Sequence, residues 1–456
     1  MTGTNGELCG KSRIKSKWIV MALAVAATTS WFSPSAFALS SFARQTGMSC
    51  GSCHWSFPEL TPVGREFKLH AYTETAEKNL TENAGDKTAA LSLPQFVPLS
   101  VSLVTSLTYT KLSQPASQNP SVEVPQGLNV WLAGQIIPNF GEAVQITYTA
   151  AADHFSFDSS DVRYSRETTL FGKDLVYGID SNNNPTFEDL WNSVPAWGFP
   201  FASADSAGFA PLATTLIDGA LAGQVVGAGL YAMVDDHLYG VAEIYRSQHL
   251  GVPQPETGAN QMINIQYVAP YWRLAWQQYL GNSYFEIGTY GIYVDSTPDT
   301  IGGAADSYLD FAGDLSYETT LDNGDSITAH GTFIYETSYL GASVPASPNH
   351  DLQTLRLDVN YHFGNKVTVT AGPFMTWGTS DTVLYPGGAP LVGFANGSPN
   401  DLGYIAQAAY WPGQNFQIGL QYRGFVTYNG ASSNYDGNGR NASDNNTLYA
   451  FIWINY

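Results

Sequence analysis

The stretch Gln353-Thr354-Leu355-Arg356-Leu357-Asp358-Val359-Asn360-Tyr361-His362-Phe363 decides the fold of this chain, because its apolar and polar residues alternate. Successive side chains of a β-strand point to opposite faces, so this period of two predicts a strand with one apolar and one polar face. An apolar outer face and a polar inner face, in segments of roughly ten residues, are typical of a transmembrane β-barrel. A soluble β-sandwich also alternates, but its solvated face would normally carry more charge.

The same alternation recurs from residue 99 to the end of the chain. It predicts sixteen strands, at about 99–110, 127–137, 142–152, 160–170, 173–180, 221–233, 237–247, 263–278, 283–294, 306–320, 326–338, 352–363, 366–377, 403–411, 416–428 and 446–456. Short turns such as Gly364-Asn365 alternate with longer loops, the longest spanning about 181–220. Outer-membrane barrels have short periplasmic turns and longer external loops, and an even strand count leaves both termini in the periplasm.

The fold class is therefore predicted to be all-β, with a 16-stranded antiparallel transmembrane β-barrel at residues 93–456 surrounded by outer-membrane lipid. The composition agrees with this prediction, since charged residues make up 13% of the chain, against about 25% in soluble domains. The formal net charge of −20 argues against a nucleic-acid partner, because nucleic-acid binding requires basic surface.

The first 38 residues are predicted to be a secretory signal peptide. A basic region from Lys11 to Lys17 precedes an apolar run from Trp18 to Thr29, and Ala36-Phe37-Ala38 then provides a small-residue cleavage site. An uncleaved anchor is the alternative. Export through this signal, together with the barrel pattern, predicts a bacterial outer-membrane location with external loops and periplasmic termini.

Between the signal and the barrel, residues 39–92 contain the motif Cys50-Gly51-Ser52-Cys53-His54. C-x-x-C-H is the attachment signature of haem c: two thiols bind the vinyl groups covalently, and the imidazole is the proximal ligand of the iron. A disulfide or redox dithiol is the alternative for the pair. However, His54 follows directly, and no strand–helix pattern of a thioredoxin-like unit surrounds the motif.

Two further residues of this segment are predicted to contact the haem. Thr61-Pro62 is a helix start, and the predicted helix would run to about Tyr72 with Val63, Phe67 and His70 on one face. His70 is therefore a tentative distal iron ligand, with a barrel residue or an open site as alternatives, and Arg65 is a candidate partner of the haem propionates.

A segment of about fifty residues has only a marginal core of its own, whereas sixteen strands enclose an aqueous lumen. We therefore expect the small helical haem segment to lie inside the barrel as a plug. The alternative is a cytochrome tethered in the periplasm by a flexible linker.

The haem segment resembles a known family in Ser41-Phe42-Ala43-Arg44-Gln45-Thr46-Gly47, in the C-x-x-C-H motif, and in Phe57-Pro58-Glu59-Leu60-Thr61-Pro62. These residues are similar to the fused outer-membrane monohaem cytochrome–porins of iron-oxidising bacteria. The resemblance implies an electron-transfer oxidoreductase that takes single electrons from extracellular Fe(II) and passes them to a periplasmic cytochrome or copper protein. The alternatives are an outward conduit that reduces external acceptors, and a diffusion porin whose haem plug is structural or gating.

Overall fold

The computed structural model describes residues 39–82, 91–115, 117–150, 153–196, 198–204, 209–219, 221–248, 264–298 and 303–456. The predicted signal peptide at 1–38 lies outside these ranges. Within them, no helix combines the length and apolar character needed to cross a membrane.

The N-terminal segment is built from short helices and small strand pairs. The helices are Ser40–Thr46, Cys50–Cys53 and Pro62–Leu69, and the strand pairs are β1 (His54–Ser56) with β2 (Glu59–Leu60) and β3 (Leu80–Glu82) with β4 (Leu91–Leu93). The Thr61 hydroxyl caps the third helix by accepting a hydrogen bond from the Gly64 N–H. This helix ends at Leu69 rather than near Tyr72, because Ala71 and Tyr72 have left-handed backbone conformations (φ 56° and 59°) that a continuing helix excludes.

Sixteen strands form a closed antiparallel barrel, as the alternation predicts. They are β5 (Leu99–Thr110), β6 (Ser121–Ile137), β7 (Phe140–Thr149), β8 (His154–Leu170), β9 (Lys173–Asn182), β10 (Val225–Val234), β11 (Leu238–Ser247), β12 (Ala269–Leu280), β13 (Ser283–Ser296), β14 (Asp306–Thr320), β15 (Ser326–Tyr339), β16 (Asn349–Phe363), β17 (Val367–Gly378), β18 (Asp401–Gly413), β19 (Phe416–Thr427) and β20 (Thr447–Asn455). Pairing of β20 with β5 closes the barrel.

Two strands begin earlier than the prediction placed them. β8 begins at His154, because residues 154–157 pair with the end of β7. Similarly, β6 begins at Ser121 and pairs with β5 beyond a register shift at Val104 and Ser106. The alternation continues into both extensions, with Phe155 and Phe157 on either side of Ser156 and with Val122 and Val124 on either side of Glu123, so the prediction began these strands too late.

The two faces of β16 show the polarity that its sequence predicts. Leu357 and Val359 are exposed on the outside, whereas Asn360 and His362 are buried inside the barrel. Only closed barrels and helices satisfy their backbone polar groups within lipid, and an apolar exterior matches the hydrocarbon of a bilayer. The protein is therefore an outer-membrane β-barrel.

Residues 39–72 of the N-terminal segment lie inside the barrel, and we refer to them as the plug. The Arg65 guanidinium forms a buried ion pair with Glu318 of β14, and the Tyr72 hydroxyl donates to Asp161 of β8 at 2.5 Å. The Gly51 N–H donates to Gln414, in the turn between β18 and β19, at 3.3 Å. The plug thus occupies the end of the lumen that carries the short turns, which is the periplasmic end in such barrels.

The described parts of the long connection between β9 and β10, residues 183–196, 198–204, 209–219 and 221–224, also fold into the lumen, and we refer to them as the inward loop. Its Leu190, Trp191 and Val194 are buried. Asn192 Nδ2 donates to the Pro58 carbonyl of the plug at 2.9 Å, and Lys68 Nζ donates to the Asp189 carbonyl at 2.6 Å. Plug and inward loop therefore pack directly against each other.

The apolar exterior predicts a depth-dependent cost for introduced charge. Leu357→Arg, near the middle of β16, should lower the free energy of unfolding by about 2–4 kcal/mol, whereas Tyr339→Arg, at a strand end, should cost about 0–1 kcal/mol. Reversible urea unfolding in phospholipid vesicles measures both values. Equal costs at the two positions would contradict a membrane-spanning exterior.

Candidate functional site

The Cys50–Cys53 segment forms one helical turn that brings its two thiols to the same side. Both cysteines are free. The turn is fixed to the following helix, because the Thr61 N–H donates to the Cys53 carbonyl at 2.9 Å and the Thr61 hydroxyl donates to the Ser52 carbonyl at 2.6 Å. The motif is therefore held in a defined conformation before any cofactor is considered.

Gly64 allows the third helix to approach this turn closely. A Cβ atom at position 64 would lie 2.3 Å from the Cys53 carbonyl oxygen and 2.9 Å from the Leu60 side chain. Such distances do not occur between real atoms, so any larger residue must move the helix away from the motif. Glycine at this position is thus required for the local packing of the site.

Cys50, Cys53 and His54 line one cavity of mainly apolar character. Three parts of the chain form its wall: the plug, the barrel strands β6 and β7, and the inward loop. The plug contributes aromatic and aliphatic side chains, and the other parts contribute Trp131, Ala143, Phe187 and Asn192. The plug alone therefore does not enclose the cavity, and the barrel completes it.

The His54 imidazole is suited to bind a metal ion. Its Nδ1 is buried and has no hydrogen-bond partner of ordinary geometry among the described residues. Burial lowers the pKa of His54 to about 4, so the ring is neutral at neutral pH, the form in which histidine coordinates metals. The Phe57 ring meets the imidazole edge-on at a centroid distance of 5.6 Å.

The two cysteines fit covalent attachment of a haem. Burial raises the pKa of Cys50, and burial together with Cys50 and Glu74 raises that of Cys53 to about 11, so both are thiols at neutral pH. Haem c needs two thiols and an imidazole beside an apolar cavity, and these residues meet each requirement. Cys50, Cys53 and His54 are the residues that would hold it.

The structure places Arg65 and His70 outside the cavity wall. Arg65 contacts Glu318, the Leu60 carbonyl and the ring of Tyr284. His70 lies just beyond the end of the helix, where its Nδ1 meets the Glu66 carbonyl at 3.0 Å. The predicted shared face with Phe67 is not formed, because the helix ends at Leu69. The sequence-based roles of Arg65 as propionate partner and His70 as distal ligand thus have no support from the cavity geometry.

Sequence reasoning missed several cavity residues. Trp131 and Ala143 lie in β6 and β7, and Phe187 belongs to the inward loop. Strand parity marks Trp131 as facing inward, but nothing in the sequence indicates which inward residues lie at the height of the plug. Lys68, a positively charged residue that the sequence also offers as a propionate partner, lines the cavity, and burial, with Arg163 nearby, lowers its pKa to about 7.

A buried polar cluster joins the plug to the opposite wall. Glu59 lies 3.6 Å from Nε2 of His330 and 3.5 Å from Nε2 of His362, and His330 Nδ1 lies 3.0 Å from Asp358. Burial alone would raise the pKa of Glu59, but the two imidazoles lower it to about 2. Among the described residues, no group of three or more histidine, cysteine, aspartate or glutamate side chains has the geometry of a metal site.

The chain is similar to several solved structures at low sequence identity. No family model matches the chain, and no curated protein matches it. Among solved structures, it is similar to Salmonella typhi OmpF in complex with daunomycin (12% identity, 79% of this chain and 98% of that chain covered, TM-score 0.48). It is also similar to the outer membrane channel DcaP of Acinetobacter baumannii (8%, 78% and 96%, TM-score 0.45) and to OmpT of Vibrio cholerae (10%, 83% and 100%, TM-score 0.44).

The Arg65–Glu318 pair should hold the plug in the lumen. Arg65→Met should lower the free energy of local opening of the plug by about 3–5 kcal/mol, because it leaves a buried carboxylate unpaired. Hydrogen exchange of residues 62–69 measures this opening. The double variant Arg65→Met/Glu318→Leu should regain most of the protection, and equal losses in the single and double variants would contradict the assignment.

Proposed function

We propose that this protein is an outer-membrane c-type cytochrome that moves single electrons between an extracellular donor and a periplasmic carrier. The single observation that carries the proposal is the position of Cys50, Cys53 and His54 in the wall of one apolar cavity inside the barrel. A haem c bound there supplies a one-electron redox couple.

The position of the motif supports transfer toward the periplasm. Gly51, inside the motif, donates to Gln414 in one short turn of the barrel, and a Cβ atom at position 51 would lie 3.3 Å from the Asn365 side chain in another. A haem held by Cys50 and Cys53 would thus lie at the periplasmic end, where a soluble carrier can approach it. The periplasmic cytochrome or copper protein expected from the sequence fits this position.

The protein side chains bury, orient and shield the site. Phe67 and Trp131 exclude water from the cavity wall. The effective dielectric constant is therefore lower there, and interactions between charges are stronger. Thr61 and Gly64 fix the Cys50–Cys53 turn, and the neutral His54 imidazole is available as an axial ligand. The ion pair of Arg65 with Glu318 and the cluster around Glu59 keep the segment in the lumen.

Fe(II) is the donor that we propose, on the resemblance of the segment 41–69 to the fused monohaem cytochrome–porins of iron-oxidising bacteria. The barrel architecture and the lumenal position of the plug are consistent with that family. The filled lumen also favours passage of electrons over passage of solutes, because the plug and the inward loop contact each other across it.

Covalent haem should depend on the motif. Cys50→Ala/Cys53→Ala should abolish the haem stain of the denatured protein, because no thioether bond remains. His54→Ala should retain covalent haem if it matures but shift the Soret band, because the proximal ligand is lost. Full covalent haem staining of the double cysteine variant would refute the attachment.

The variant His70→Gln tests whether His70 is the distal iron ligand, as the sequence suggests, or lies away from the haem, as its contacts indicate. If His70 ligates the iron, His70→Gln should change the Soret band and the midpoint potential. The cavity geometry predicts that both stay at wild-type values, because the imidazole faces Glu66. Visible spectra and potentiometric titration of the purified wild-type and His70→Gln proteins show whether His70 is a ligand of the iron.

Electron entry is tested by stopped-flow reduction of the ferric protein with Fe²⁺ in detergent. The proposal predicts reduction whose rate rises with Fe²⁺ concentration, with His70→Gln as a matched control at the wild-type rate. If the ferric haem stays oxidised at pH values where Fe²⁺ has driving force, the iron-oxidation proposal fails. Rapid solute flux through liposomes that contain the haem-loaded protein would favour the diffusion-porin alternative instead.

A further inference from the structure

A second cavity lies on the external side of the plug, and we refer to it as the vestibule. It reaches from Tyr428 and Leu391, near the external loops, down to His330 and Asp358. The plug lies directly beyond this floor, since Glu59 is 3.6 Å from His330. The vestibule is therefore a blind pocket in the lumen, a shape that retains a ligand rather than conducting it.

The vestibule wall combines two guanidinium groups with an apolar surface. Arg356 of β16 and Arg423 of β19 both line it, near the middle of their strands. Phe374 and Ile405 lie between them, because Arg356 pairs with Phe374 on one side and Ile405 pairs with Arg423 on the other. The inward loop covers this wall with further apolar residues, among them Phe199 and Phe209.

The charge of the vestibule is positive where the two arginines lie. Arg356 donates to Asp218 at 2.6 Å, whereas Arg423 donates to the Phe209 carbonyl and has no ion-pair partner among the described residues. The one carboxylate that lines the described wall is Asp358, and it is already engaged by His330 and by Asn360. One guanidinium therefore remains without a compensating carboxylate beside an apolar surface.

We infer that the vestibule binds a small organic carboxylate whose body is apolar or aromatic. Arg423 and Arg356 would bind the carboxylate through charge-assisted hydrogen bonds, which planar guanidinium groups make well. Phe374, Ile405 and the residues of the inward loop would pack against the body of the ligand. This site does not depend on the haem or on the direction of electron flow.

The vestibule is not suited to bind a bare cation. A hydrated divalent cation prefers carboxylate and carbonyl oxygens, and two guanidinium groups would repel it. An organic anion finds both an opposite charge and apolar contacts in the same wall.

Binding is tested with 1-naphthoate as the probe and 1-naphthylmethanol as its neutral analogue. Fluorescence titration uses the whole protein in nanodiscs, with empty nanodiscs as the background for partition into lipid. We expect saturable binding of naphthoate, weaker binding of the alcohol by about tenfold or more, and a loss of naphthoate affinity as salt increases.

Arg423→Gln should weaken naphthoate binding about tenfold or more and leave the alcohol unchanged, because a charged hydrogen bond is lost. Arg166→Gln is the matched control, since Arg166 is an exposed arginine of β8 that does not line the vestibule. If Arg423→Gln does not fold, the salt dependence of wild-type binding still decides the point. Equal affinity for acid and alcohol, salt-independent binding, or an unchanged affinity in Arg423→Gln would each overturn the inference.

Discussion

Closure of the barrel is the constraint on which the rest of this structure depends. In lipid, an unpaired backbone N–H or C=O costs several kcal/mol, so a sheet can span the membrane only when its first and last strands pair. Here β20 pairs with β5 from Thr447 and Thr110 to Asn455 and Ser102. In a closed sheet the number of strands sets the width of the lumen, and the width decides how much protein is needed to fill it.

The filling of the lumen combines buried charged side chains with buried apolar ones, such as Trp131, Met233 and Ile292. Buried charges are stable only when they are paired and hydrogen-bonded. The plug meets this requirement with Arg65 on Glu318, Tyr72 on Asp161, and Glu59 between two imidazoles. These contacts reach different strands around the barrel, so they fix the orientation of the plug as well as its position. The motif Cys50–His54 is carried to the periplasmic end as a consequence.

The sequence indicates which residues of the motif would hold a haem, but it does not indicate what lies around them. The spacing of Cys50, Cys53 and His54 identifies the three residues, and Thr61-Pro62 identifies the start of the helix that supports them. The assignments of His70 and Arg65 relied on helical periodicity and on charge. Two left-handed residues after Leu69 end the helix before His70, and Glu318, 253 residues away along the chain, binds Arg65. The Arg65 contact is distant in sequence, and the left-handed backbone at Ala71 and Tyr72 is local but is not marked by a glycine or asparagine.

The sequence by itself determined the barrel, the number of strands and the alternation of faces, because period-two polarity is a local property that each strand carries within its own residues. It also identified Cys50, Cys53 and His54 as the candidate haem-attachment motif, because covalent attachment of a haem needs these residue types at short spacing. Only the tertiary structure decided which inward side chains meet the plug, that the inward loop packs on it, and that a blind vestibule with two arginines lies above it. These features depend on contacts between residues that are distant in sequence, and the side-chain pattern of a single strand does not specify those contacts.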